Sequence, residues 1–427
     1  MNWLDLFKSF KKPKAKPFSA WQIELTTRCP INCRMCIREM ADNWLSGDMR
    51  IEDFKKLTPY FKDVETVILE GWGDSLLHPN FTEIIRLVKA EGAEAGFVTS
   101  GSTLNKDYIS ELINAGIDLI GFSLSGVTPK THGEIRVGSD LLRLTGHIQT
   151  FNKIKADKKL QKPRLHVIYL MLKDNISEIP RLPQLAKEIG IEDIVLTNLI
   201  HITNEWQEGQ RMFRCAHENY HPPLNPLPSR EGKIEESHPL TKRESPSPLA
   251  GETPHIPSPL VGETPHIPSP LVGEGKGEGV YYKDLLKETA IKAKELGITF
   301  RIHPLSPTDV AVCEENPLRN LYISVDGEVS PCVYLYPPLP SPFKRIFCGK
   351  EYTMNNLSFG NIFKESFDAI WDKKGYADFR YPFEQRKRRY EEVYSYPIDA
   401  RKFKKFESQP LPEPPEPCRT CHKMLGV

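Results

Sequence analysis

The sequence predicts an α/β protein in which six strand–helix units form an open or closed barrel, followed by a smaller cysteine-rich α+β domain. Three observations predict it. From residue 20 to about 200, short apolar segments of strand character alternate with runs whose apolar spacing is near 3.6. Each unit is roughly 30 residues long, as a parallel sheet with right-handed crossovers requires. From about residue 311 the alternation gives way to short strands, turns and cysteines.

Taken in order, residues 1–18 read as a tail. Trp3, Leu4, Leu6, Phe7 and Phe10 make a short apolar face beside lysines, which suits a frayed or locally packed end better than a membrane contact. The barrel units occupy 19–220. Their strands are expected in "WQIELT", "TVILEG", "AGFVTS", "LIGFSLS", "LHVIYLML" and "DIVLTNL". Helices are expected in "IEDFKKLTPYF", "NFTEIIRLVKAEG", "KDYISELINAG" and "SEIPRLPQLAKEIG", several of which end in glycine, as helices do. Residues 221–279 break the pattern with thirteen prolines and no Phe, Trp or Tyr. An eleven-residue unit recurs there, starting at Ser247, Ser258 and Ser269. It holds too few apolar residues to bury a core, so the segment reads as a disordered insertion rather than a solenoid or a proline-rich ligand. His255 and His266 recur only because the unit does. Residues 280–310 resume the barrel with the helix "DLLKETAIKAKELG" and the strand "ITFRIH". Residues 311–427 form the second domain, in which "VDGEV" predicts a hairpin turning at Asp326-Gly327.

Composition narrows the function classes. The chain has 427 residues, with 57 Lys plus Arg against 56 Asp plus Glu, so no basic surplus points to nucleic acid. No apolar run approaches a membrane span, and no secretory signal is evident, which predicts a cytoplasmic protein. The nine cysteines then belong to a reducing compartment, where grouped thiols bind metal or do chemistry more often than they pair.

Three of them form "CPINCRMC", Cys29, Cys33 and Cys36, directly after the first strand. In parallel α/β folds that is where chemistry sits, at the carboxyl ends of the strands. A closed zinc site needs four ligands. Three thiolates spaced C-x3-C-x2-C instead hold three corners of an iron–sulfur cube and leave one iron open. With this spacing in this place, the chain resembles the radical S-adenosylmethionine (SAM) superfamily, whose fold is a partial (β/α)6 barrel.

The resemblance implies that Cys29, Cys33 and Cys36 carry a 4Fe-4S cluster whose open iron binds SAM. Reductive cleavage would give methionine and a 5′-deoxyadenosyl radical, which abstracts a hydrogen atom from substrate. It implies further SAM contacts from "LEGWGDSLLHP", where Gly73 allows close backbone approach and Asp74 supplies a carboxylate to the methionine amine. Turn capping is the alternative role for Asp74. Ser123 and Ser125 match positions facing the ribose, and Arg136 matches one facing the methionine carboxylate. The chain departs from the family pattern with Asp74 for the commoner Glu, Ser75 for proline and Met35 for an aromatic.

"CEENPLRNLYISVDGEVSPC", "FGNIFKESFDAIW" and "PEPCRTC" resemble the SPASM extension of these enzymes. That implies an auxiliary 4Fe-4S cluster on Cys313, Cys332, Cys418 and Cys421. A zinc ribbon on the same four is the alternative, and "CRTCH" also fits haem attachment, a reading that leaves "CPINCRMC" unexplained. Cys215 and Cys348 are left over, and are expected to be buried and inert or to replace an assigned ligand. The basic run "RKRRY" at 386–390 reads as a solvated helix face, with contact to an acidic peptide or a redox partner as the alternative. The family resemblance implies a maturase acting on a peptide or protein, with a reducing partner such as flavodoxin or ferredoxin. Radical oxidation of a small molecule, or an iron–sulfur or zinc protein that only binds a partner, are the other readings. No residue is assigned as catalytic from sequence, and no cobalamin-binding module is apparent.

Overall fold

The computed structural model describes residues 15–41, 43–215, 278–394 and 410–427. The apolar face at Trp3–Phe10 and residues 221–277 of the expected insertion lie outside them; Glu278 and Gly279 begin a helix.

The strands are β1 (Phe18–Ile23), β2 (Asn32–Cys33), β3 (Val64–Ile68), β4 (Glu94–Thr99), β5 (Leu119–Leu124), β6 (Arg136–Val137), β7 (Arg164–Met171), β8 (Asp193–Asn198), β9 (Thr299–Ile302), β10 (Asn320–Ile323), β11 (Val329–Ser330), β12 (Phe343–Phe347) and β13 (Lys350–Met354). The helices are α1 (Ile51–Lys55), α2 (Phe81–Ala90), α3 (Lys106–Ala115), α4 (Pro129–Ile135), α5 (Leu141–Asp157), α6 (Leu182–Ile189), α7 (Glu205–Gln210), α8 (Glu278–Glu295), α9 (Phe367–Trp371) and α10 (Lys374–Tyr394).

Nine strands form one sheet in the order β11-β10-β1-β3-β4-β5-β7-β8-β9, parallel except for β11. The sheet does not close, so the barrel is partial. All six expected barrel strands are present, and β9 is the expected "ITFRIH" strand. Helices cover one face. Trp21 and Ile23 of β1, Phe97 of β4, Phe122 of β5 and Tyr169 of β7 are fully or almost fully buried in a core with Ile84 of α2, Leu112 of α3 and Phe151 of α5. Because side chains alternate along a strand, Glu24, Glu70, Ser123 and Ser125 belong to the opposite, inner face.

Two expected helices are shorter than their apolar spacing suggests. The 51–61 run stops as an α-helix at Lys55 and continues as a 3-10 turn over Thr58–Asp63, with Pro59 in its first turn. The 177–190 run begins as a 3-10 turn containing Pro180 before α6. Proline removes the amide donor that an α-helix interior needs. Gly116 and Gly190 do end α3 and α6, in the left-handed conformation.

The second domain is not a separate block. Its hairpin turns at Gly327, as expected, but β10 pairs parallel with β1, Ala20 against Asn320 and Ile23 against Ile323. The "RKRRY" run lies on α10, yet Arg386 is 2% exposed. Its guanidinium donates to the carbonyls of Ala311 and Val310 at 3.2 and 2.7 Å, and also reaches Asp309 and the Pro412 carbonyl. The expectation of a wholly solvated face is therefore corrected at Arg386, because a guanidinium offers five donors and here finds buried acceptors.

Candidate active site

The cysteine loop follows β1 and is fixed by backbone acceptors. Arg38 donates to the Cys29 carbonyl at 2.9 Å and also reaches the Ile31 carbonyl. The Cys36 amide donates to the Cys33 carbonyl at 3.0 Å, closing a turn. Cys33 lies in β2, which pairs antiparallel with β6 so that Cys33 faces Arg136. Arg136 Nε donates to Ser125 Oγ at 2.9 Å, and its Nη1 lies 3.7 Å from Cys33 Sγ. The ladder thus brings together a cysteine of the loop after β1, the fourth expected strand's exit and the "THGEIR" arginine. Met35 is buried against Ile135, Leu172, Leu199, Ile202 and Ile346, so it anchors the loop to α4, to the exits of β7 and β8, and to β12.

The Gly71–Asp74 loop leaves β3 beside it. The Asp74 amide donates to the Arg28 carbonyl at 2.8 Å. A Cβ on Gly73 would stand 2.2 Å from the Thr26 carbonyl oxygen and 2.6 Å from that of Arg28. The close approach that glycine permits here is to the chain leading into Cys29. Asp74 is buried, with its carboxylate accepting from Thr99 Oγ1 at 3.0 and 2.9 Å, Ser100 Oγ at 2.8 Å, the Ser100 amide at 3.1 Å and the Leu76 amide at 3.2 Å. Asp74 thereby ties the β3 exit to the β4 exit and caps its own turn. Ser123 is half-buried on the inner face of β5.

Glu24 and Glu70 were missed from sequence. Glu24 Oε1 accepts from the Trp72 amide at 2.7 Å, binding β1 to the glycine loop. Burial raises Glu24 to about 7, and burial, aided by Glu315 and Asp74, raises Glu70 to about 7. The signal was present in "WQIELT", where polar Gln22 and Glu24 alternate with Trp21, Ile23 and Leu25. His201 was missed as well. It is 5% exposed, stacked near Tyr334 and Phe343 and edge-on to Trp72, and neither ring nitrogen has a partner among the described residues.

Seven cysteines are free thiols: Cys29, Cys33, Cys36, Cys313, Cys332, Cys418 and Cys421. The last four converge in one apolar cluster with Leu335, Phe379, Phe383 and Met424. Burial pushes the Cys29 thiol up to about 11 and those of Cys36 and Cys313 up to about 12, and raises Cys332 and Cys418 strongly. Such thiols need a bound cation to become thiolates. Around one zinc ion the sulfurs would stand about 3.8 Å apart. Among the described residues, no three of these seven come within 4.8 Å of one another.

Cys215 and Cys348 form a disulfide with each other across 133 residues of sequence. The expectation that they are inert thiols or substitute ligands is corrected. The fold brings the hairpin turn after β12 against the chain that follows α7, a contact that no local pattern encodes.

The family model described as the radical SAM superfamily matches residues 23–186, and the model described as an iron–sulfur cluster-binding (SPASM) domain matches residues 313–422. A cofactor-modifying protein of tungsten-containing aldehyde ferredoxin oxidoreductase from Pyrococcus furiosus is 25% identical over 364 residues, 84% of this chain and 82% of that protein. A PqqA peptide cyclase from Streptomyces rochei is 24% identical over 177 residues, 41% of this chain and 47% of its own. Streptococcus suis SuiB, solved bound to the precursor peptide SuiA, superposes with a TM-score of 0.51 at 11% identity, covering 96% of this chain and 71% of SuiB; the likeness is one of fold. Among the described residues, no helix is long and apolar enough to cross a membrane.

Proposed function

Since the chain belongs to the radical SAM superfamily and carries a SPASM domain, we propose that it is a maturase that removes a hydrogen atom from a peptide or protein substrate. The observation that carries the reading is the pair of separate free-thiol sets, three after β1 and four in the C-terminal domain. When bound, the first cluster supplies the electron that cleaves SAM, yielding methionine and the 5′-deoxyadenosyl radical that takes the substrate hydrogen.

The chain's own residues do the positioning. Cys29, Cys33 and Cys36 hold the first cluster, and Arg38 fixes the loop that presents them. Gly73 lets the β3 exit lie against that loop, and Asp74 locks the exit to Thr99 and Ser100. Ser123, Ser125 and Arg136 line the SAM side, with Arg136 oriented by Ser125. Cys313, Cys332, Cys418 and Cys421 hold the auxiliary cluster beside the apolar side chains of Leu335, Phe379, Phe383 and Met424. The reading keeps the domain organisation expected from sequence, a barrel of residues 19–220 and 280–310 that binds SAM and an auxiliary-cluster domain of 311–427. Similarity to a peptide cyclase supports a peptide substrate. Similarity over 84% of the chain to a cofactor-modifying protein favours a second reading, in which the substrate is a small cofactor-like molecule.

The test is iron content and SAM cleavage in protein reconstituted without oxygen. The wild type is expected to hold about eight irons, and Cys29→Ala/Cys33→Ala/Cys36→Ala about four, with no 5′-deoxyadenosine formed. Cys418→Ala/Cys421→Ala is expected to lose the second set of irons. Formation of 5′-deoxyadenosine by the triple variant would refute the assignment. Deuterium passing into 5′-deoxyadenosine from a labelled small molecule, and not from peptide, would establish the second reading.

A further inference from the structure

One side-chain cluster uses none of the seven free thiols, although its histidine directly follows Cys421 in sequence. The sulfurs of Cys215 and Cys348 and a ring nitrogen of His422 lie within 4.8 Å of one another. Cys215 follows α7, and Cys348 turns the β12–β13 hairpin. His422 comes from the C-terminal segment and is 1% exposed.

Two independent features suit these groups to hold a cation. The first is the histidine. Its Nδ1 lies 3.0 Å from the Ile200 carbonyl and therefore carries the proton, which leaves Nε2 as the lone-pair nitrogen. Nε2 faces the Cys348 backbone amide at 3.4 Å, a weak contact. A ring fixed through one nitrogen to a backbone carbonyl, which leaves the other nitrogen's lone pair available, is how metal-binding imidazoles are held. Phe213 and Phe347 wall the ring at centroid distances of 5.0 and 4.9 Å.

The second is the turn. Phe347 pairs with Lys350, so the hairpin turns on Cys348 and Gly349 alone, at φ of +51° and +77°. A two-residue turn with both φ positive favours Asn-Gly or Asp-Gly. Cysteine at its first position goes against turn chemistry and places a thiol beside Cys215 and His422.

The geometry points to a third, mononuclear metal site made of Cys215, Cys348 and His422, closed while the disulfide stands and opened to a soft divalent cation of the zinc class by reduction. A dithiol reductant gives two electrons and two protons to the Cys215–Cys348 bond, leaving two thiols and becoming a cyclic disulfide itself. The cation then takes both sulfurs and Nε2, and two protons leave. The Cα atoms stand 5.5 Å apart, and two thiolates on one zinc need their sulfurs about 3.8 Å apart, so side-chain rotation suffices. Three protein ligands leave a fourth position for water or a partner's group.

Full-length protein with its iron reconstituted should be treated with a dithiol, freed of it, and titrated with Co2+ as the probe. The reduced protein is expected to take one cobalt per chain with thiolate-to-cobalt charge-transfer absorption, at unchanged iron content. The oxidised protein is expected to take none. Cys348→Asn, a residue the turn prefers, and Cys215→Ser should each abolish the cobalt signal while keeping the iron. Four results overturn the proposal: no cobalt on reduced protein whose two extra thiols titrate, equal cobalt before and after reduction, cobalt retained by Cys348→Asn, or iron lost from Cys348→Asn. The first would make the disulfide a staple only, and the last would make Cys348 a cluster ligand.

Discussion

Gly73→Ala should be the most damaging single methyl group near the site. The new Cβ would stand 2.2 Å from the Thr26 carbonyl oxygen, 2.6 Å from that of Arg28 and 2.8 Å from the Thr26 carbonyl carbon. All three are backbone atoms, so no side chain can swing aside. Ordinary contact begins at 3.4 Å, so the two segments must part by about 1.2 Å. That movement strains the 2.8 Å hydrogen bond from the Asp74 amide to the Arg28 carbonyl. Overpacking costs about 1–3 kcal/mol and the lost hydrogen bond about 0.5–1.5 kcal/mol, together roughly 2–4 kcal/mol. At about 1–1.5 °C per kcal/mol for a chain of this length the midpoint of thermal unfolding should fall by roughly 2–6 °C. Gly47→Ala is the control, because nothing lies within 4 Å of its Cβ position. Circular dichroism at one scan rate compares the two, and anaerobic SAM binding reads the displaced loop. If Gly73→Ala matches Gly47→Ala in both measurements, the idea that these two loops are held in register by a missing side chain is wrong.

Asp74→Asn keeps the shape but turns an amide NH2 toward donors that now meet carboxylate oxygen. It is expected to weaken SAM binding about 10- to 150-fold, equivalent to about 1.5–3 kcal/mol, with iron content unchanged; equal affinity in the reconstituted variant would leave Asp74 a turn cap. Gly146 lies inside α5 with nothing within 4 Å of its Cβ position. Gly146→Ala should therefore stabilise the protein by about 0.5–1 kcal/mol in denaturant unfolding, and a loss of stability would contradict the open space there. Glu24 is raised from 4.5 to about 7 by burial, so the folded state binds its proton more tightly than the unfolded chain does. The resulting stabilisation is complete below pH 4.5 and is lost as pH rises through 7. Glu24→Gln retains an acceptor for the Trp72 amide and should exceed wild type in stability at pH 8 by up to about 3 kcal/mol, and by far less at pH 5; a pH-independent difference would refute the buried acid.

Much of the fold was legible because its signals are local. Alternation in "WQIELT" and 3.6-residue spacing in "NFTEIIRLVKAEG" report burial within one element, and β1 and α2 follow. The thiols of "CPINCRMC" lie within eight residues, so their spacing carried chemistry without any knowledge of packing. Proline marks the 51–61 and 177–190 runs, where the apolar spacing continues through Pro59 and Pro180 although the α-helix does not.

What only tertiary structure decided are the pairings between distant segments. The exposed edge of a strand accepts any extended partner, so nothing in "WQIELT" announces that β10, some 300 residues later, will pair with it. The facing of Cys33 and Arg136 is likewise set by a backbone ladder, which side-chain identity does not encode. Asp74 was legible as a carboxylate, but its partners Thr99 and Ser100 lie on the next strand exit. Cys215 and Cys348 were visible as two spare thiols and became a pair only when the β12–β13 turn met the chain after α7. Local sequence sets which residues carry chemistry; packing across the sheet and between the domains sets which of them meet.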